Sequence, residues 1–155
     1  MDRWVTALLR YLERLIGVMF MIVTGVTLAQ VCCRYALGFS LSWSHELVIL
    51  MIIWIVWLAM PIGLDRMEHL TVNFITDILP SASRRVLSLI NLFLCAIFFA
   101  LIFVVSFPVV EAYEGMELVT IPISLNTRYY AAVVGSALSL AVMIRRIFKA
   151  GKELG

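Results

Sequence analysis

Ionisable side chains are what this chain has least of. Only 14% of its 155 residues are charged, against about a quarter in an ordinary soluble domain. None of its carboxylates falls inside a long apolar run. Proton-coupled exporters of four-helix type need an acid deep in a span as their coupling site, and that device is missing. Histidine occurs twice, at His45 and His69. On one helical segment their 24-residue separation is about 36 Å, which puts the imidazoles at opposite membrane faces. Neither has a facing His or Cys on this chain, so a bis-histidine haem and a zinc-type centre are both excluded. The three cysteines, Cys32, Cys33 and Cys95, lie in or beside apolar runs rather than in loops. Adjacent Cys32 and Cys33 are ill placed to bridge each other, and all three read as small packing residues without redox chemistry. No cofactor and no catalytic residue is expected, and a net charge of +2 gives no basis for nucleic-acid binding.

What is abundant is apolar length. Hydrophobic residues make up 63% of the chain, and uncharged runs near 20 residues cover the hydrocarbon core of a bilayer. Four spans are expected, at about residues 15–37, 46–64, 84–110 and 128–147. The uncharged part of the last is short, and Arg145 and Arg146 can snorkel to the headgroups to extend it. The first is longer than a signal-peptide core and lacks a convincing small-residue cleavage site, so it is kept as a span. Of the 12 Lys and Arg residues, only Arg34 and Arg128 fall in the first and third loops. By the positive-inside rule both termini are cytoplasmic. The expected fold is an all-α integral membrane protein forming one membrane domain over 1–155, with four transmembrane helices and amphipathic interfacial helices.

The interfacial elements are read from periodicity. Trp4, Val5, Leu8, Leu9, Tyr11, Leu12, Leu15 and Ile16 fill half a helical wheel. Asp2, Arg3, Thr6, Arg10, Glu13 and Arg14 fill the other half, so residues 1–14 are expected as an arm in the membrane interface. Residues 67–79 repeat the pattern, with Met67, Leu70, Phe74, Ile75 and Ile78 opposite His69, Asn73 and Asp77, and Pro80 as the stop. The alternative is that both are plain extensions of spans.

Several residues are candidates for contacts. Glu46 and Arg34 stand just beyond apolar runs at the outer ends of spans two and one, and are expected to pair or to cap. Ser42 or Ser44 could supply the N-cap hydroxyl. Trp43 suits an aromatic belt. Trp54 and Trp57, three residues apart, suit packing against lipid or a helix, and His69 suits the interface. Ala131, Gly135 and Ser139 form a small-residue row in span four, and Gly25 and Ala29 share its spacing in span one. Such rows let helices approach closely, within this bundle or against another protein. Glu111, Glu114 and Glu117 form an acidic row in the third loop, either simply solvated or a docking surface for an outside protein.

The order of these features resembles the DctQ-type small membrane subunit of tripartite ATP-independent periplasmic (TRAP) transporters. The resemblance runs from Arg34-Tyr35 through Leu41-Ser42-Trp43-Ser44-His45-Glu46-Leu47 and the tryptophan-bearing second span. It continues at Gly63, Arg66, Glu68-His69-Leu70-Thr71-Val72, Leu79-Pro80 and Arg84, and ends at Ile121-Pro122, Tyr129-Tyr130 and Gly135. It covers roughly residues 30–148. Pro61, near the inner end of span two, departs from the pattern, in which an unkinked segment is expected. The resemblance implies a secondary transporter of organic acids in a bacterial inner membrane. Its partners would be a large membrane subunit carrying the substrate and sodium sites, a soluble periplasmic receptor, and lipid. This chain would be a fixed, non-catalytic scaffold; the rival is an autonomous four-helix transporter or channel.

Overall fold

The computed structural model describes residues 2–66 and 81–152, with side chains for 5–66 and 90–148. The expected interfacial helix at 67–79, His69 included, lies outside the described residues. Among the described residues four helices are present: α1 (Asp2–Ala36), α2 (Ser42–Arg66), α3 (Ser81–Ala112) and α4 (Thr127–Lys152). Each contains a stretch long and apolar enough to cross a bilayer. Lipid offers a backbone amide no hydrogen-bond partner, so long apolar runs of this kind are helical.

The bundle is centred on α2 and α4. α1 packs on α2, and α3 packs on α4. Gly135 meets Trp57 at mid-length and Arg146 meets Asp65 further along, so α2 and α4 run parallel. One end of the bundle carries the α3–α4 connection and is called here the hairpin end; the other carries Arg66, Arg145 and Arg146 and is called the arginine end. A buried apolar cluster combines Leu9 and Leu12 of α1, Leu58 and Leu64 of α2, Phe99 of α3, and Val142 and Met143 of α4.

That cluster includes part of the expected N-terminal arm. α1 is one unbroken helix of 35 residues, about 52 Å long, with no break that would set residues 1–14 apart in the membrane plane. Leu9 and Leu12 are buried in the bundle core, with Val5 and Ile16 packed beside them. Leu8, Tyr11 and Leu15 point outward. The apolar half-wheel is wide enough to serve two neighbours, and part of it serves the bundle.

The two small-residue rows also differ. Ala131 and Ser139 are fully buried, and a Cβ built on Gly135 would lie 2.6 Å from the Trp57 carbonyl oxygen. Only glycine permits that approach. Gly25 has nothing within 4 Å, and Ala29 is exposed. The α4 row is therefore an internal seam, and the α1 row faces away from the bundle.

Candidate functional site

The polar side chains gather at the two ends of α2. At the hairpin end, α1 stops where Gly38 takes a left-handed conformation (φ 74°), which lets the Phe39 N–H fold back on the Cys33 carbonyl at 3.2 Å. α2 then begins at Ser42. The Ser44 hydroxyl donates to the Leu41 carbonyl at 2.6 Å and is fully buried; it ties the entering turn.

The α3–α4 connection is a small ordered hairpin. Gly115 turns the chain with φ 79°, and Glu117 bridges to Ser124 in antiparallel fashion. The Leu118 N–H donates to the Ile123 carbonyl at 3.0 Å, and the Leu125 N–H to that of Met116 at 2.7 Å. Leu118 is buried, and the rings of Tyr113 and Tyr129 stack at 4.6 Å across the base.

Glu46 fastens this hairpin to α2. One carboxylate oxygen accepts the Val119 N–H at 3.0 Å. The other accepts the Thr120 N–H at 2.8 Å and the Thr120 hydroxyl at 2.5 Å. The expected Arg34–Glu46 pair is not formed. Arg34 sits exposed in the last turn of α1, where its charge suits the negative helix end. A carboxylate offers acceptors on two oxygens, and three donors converging from one turn satisfy it better than one mobile guanidinium. Nor does Glu46 cap its own helix, because the donors it takes belong to the hairpin. Thr120, absent from the sequence candidates, supplies two of the three donors.

The arginine end carries a second set. Arg66 of α2 pairs with Glu13 of α1. Arg145 of α4 lies 3.6 Å from the Asp65 carboxylate, and the Arg146 guanidinium donates to the Asp65 carbonyl at 2.6 Å. The C-terminal carbonyls of a helix lack intrahelical donors, so Arg146 both satisfies one of them and meets the negative end of α2. Arg145 and Arg146, expected to snorkel, also contact Asp65 of α2. α2 is thus tied to α1 and α4 at this end and to the hairpin before α4 at the other.

Trp43 is half-exposed, while Trp54 and Trp57 pack on the buried cluster. Trp57 also lines an apolar groove of about 510 Å³ between α3 and α4, with Phe98, Leu101, Val105 and Tyr129 among its walls. Glu111, Glu114 and Glu117 are all exposed, but they do not share one helical face. α3 ends at Ala112, and Gly115 turns the chain before Glu117. The cysteines carry free thiols.

Four membrane-length helices, with ion pairs at one end and a carboxylate-held hairpin at the other, define a multi-pass membrane protein. Among the described residues no three His, Cys, Asp or Glu side chains converge as a metal site. The family model for tripartite ATP-independent periplasmic transporters, DctQ component, matches residues 23–152. The chain belongs to that family, which makes it a membrane subunit of a TRAP transport system. It is similar to the sialic acid TRAP transporter small permease protein SiaQ of Vibrio cholerae, with 26% identity over 125 residues, 81% of this chain and 72% of that protein. It is also similar to the sialic acid TRAP transporter permease protein SiaT of Haemophilus influenzae, with 29% identity over 73 residues. Those make up 47% of this chain and span 12% of SiaT.

Proposed function

We propose that this chain is the fixed scaffold of a TRAP transporter, working beside a large ion-coupled membrane subunit and a periplasmic receptor to import an organic acid. Support comes from one observation above the others: α2 is anchored at both ends and closed against α4 in between. A helix pair held at three levels is suited to standing still while another subunit moves. The substrate and sodium sites are assigned to the large subunit, and none to this chain. Sialic acid is the first substrate to test, because both named relatives are sialic acid systems. The 12 Lys and Arg residues, all but two at the termini and second loop, support a bacterial inner-membrane orientation with both ends cytoplasmic and the hairpin in the periplasm. Exposed Glu111, Glu114 and Glu117 then face the receptor's compartment, where they attract a basic patch and raise the association rate.

Reconstitution tests the proposal. Vesicles with this chain and its large subunit, given receptor and a sodium gradient, take up substrate; vesicles with this chain alone do not. Uptake by the chain alone overturns the scaffold reading and makes the protein an autonomous transporter.

A further inference from the structure

A buried donor and a backbone carbonyl lie on opposite sides of the α2–α4 seam, each without its usual helix partner. The donor is Ser139. Other hydroxyls in these helices fold back on the carbonyl four residues earlier, as such side chains do in apolar surroundings. Thr24 donates to Phe20 at 2.9 Å, Thr27 to Val23 at 2.8 Å, Ser106 to Ile102 at 2.7 Å and Ser136 to Ala132 at 2.6 Å. The Ser139 hydroxyl makes no such bond. It is 0% exposed and has no hydrogen-bond partner.

The acceptor follows from Pro61. Proline has no N–H, so the carbonyl four residues earlier, that of Trp57, loses its helix donor. Pro61 is itself fully buried within α2. The Trp57 carbonyl points at α4, since its oxygen would lie 2.6 Å from a Cβ on Gly135. Ser139 is one turn beyond Gly135 on the same face, and Pro61 is one turn beyond Trp57. The helices run parallel, so the two turns advance together. A hydroxyl and a carbonyl left unsatisfied in hydrocarbon are both unfavourable.

We propose that Ser139 satisfies the Trp57 carbonyl across the seam through one buried water. This polar cross-link secures α2 at the turn where Pro61 removes a helix bond. Ser139 is a positioning residue: it acts by holding α2 against α4.

The test reads the carbonyl itself. Trp57-Leu58 is the one Trp-Leu dipeptide in the sequence, so ¹³C-carbonyl tryptophan combined with ¹⁵N-leucine isolates a single carbonyl resonance in the full-length protein. Ser139→Ala moves that resonance in the direction of a weaker hydrogen bond, and Ser139→Thr returns it toward the wild-type position. Ser136→Ala, which removes a hydroxyl bonded within α4, leaves it in place. A resonance unmoved by Ser139→Ala overturns the proposal. The companion measurement is a melting-temperature cycle with Pro61→Ala, which restores an N–H for the Trp57 carbonyl. The loss caused by Ser139→Ala shrinks in that background. Equal losses in both backgrounds refute the coupling.

Discussion

The α2–α4 seam and the outward faces of α1 and α3 are built from opposite material. α4 has the lowest mean hydropathy of the four spans, 1.7, and the largest buried share, 33%; α3, at 2.8, has 17%, and α1, at 2.1, has 6%. The faces turned away from the bundle hold Phe20, Met21, Phe93, Leu94 and Leu101, while the seam holds Ala131, Gly135, Ser136 and Ser139. In water this order would be inverted. In lipid an exposed phenylalanine costs nothing, so association depends on close backbone approach and on polar groups that must find partners. Within this protein, small side chains on α4 mark the closest helix approach, beside a buried cluster of larger apolar residues.

Substitutions can break that contrast, beginning where the effect is largest. Gly135→Leu forces a side chain into the Trp57 backbone, which cannot yield as a flexible side chain could. It should destabilise the purified chain by about 3 kcal/mol or more, at the upper end of overpacking effects. Gly25→Leu, with open space around it, should stay within about 0.5 kcal/mol. Thermal unfolding in detergent measures both, and equal losses would erase the distinction between the two rows.

At the arginine end, Asp65→Ala removes a carboxylate from partly buried Arg145, whose side chain is 18% exposed. A loss of about 1–2 kcal/mol is expected, between the ranges for exposed and buried pairs. Glu13→Gln should cost less, about 0–1 kcal/mol, because its partner Arg66 is 68% exposed. Reversal of that order would show that α1, not α4, holds this end of α2.

Glu46→Gln sharpens the comparison locally. It removes the charge and one acceptor while keeping the shape, so amide exchange should speed up at Val119 and Thr120 while helix protection is unchanged. Arg34→Ala should leave those amides as they are. The smallest effect is expected for Phe93→Leu on the outer face of α3, within about 0.5 kcal/mol in the isolated chain.

Much of this was legible in the sequence. Four spans follow from run length, and a small-residue row through Gly135 and Ser139 from spacing, but not whether that row serves this bundle or another protein. The partner of Glu46 does not follow either, because backbone N–H groups carry no sequence signature and a short loop makes Arg34 the obvious candidate. Pro61 was visible only as a departure; its consequence at Trp57 needed the register of α4. The bundle contacts of Leu9 and Leu12 in the arm at 1–14 were not legible, because a broad apolar half-wheel suits a membrane surface and a bundle edge equally well. The Asp65 contacts with Arg145 and Arg146 join residues some 80 positions apart, a pairing that local periodicity cannot specify.

The central claim is that α2 and α4, with the hairpin between α3 and α4, stay together while the transporter works. The direct test is a covalent lock at the hairpin end. Glu46→Cys with Thr120→Cys, in a chain whose Cys32, Cys33 and Cys95 are replaced by alanine, puts one thiol on each side of the Glu46–Thr120 contact, to be joined by a short bis-methanethiosulfonate reagent through two reducible disulfides. Cross-linked and reconstituted with its large subunit and receptor, this variant should take up substrate at the same rate before and after reduction. Uptake abolished by the cross-link and restored by reduction would contradict the account, because the helix pair assigned to standing still would then have to move.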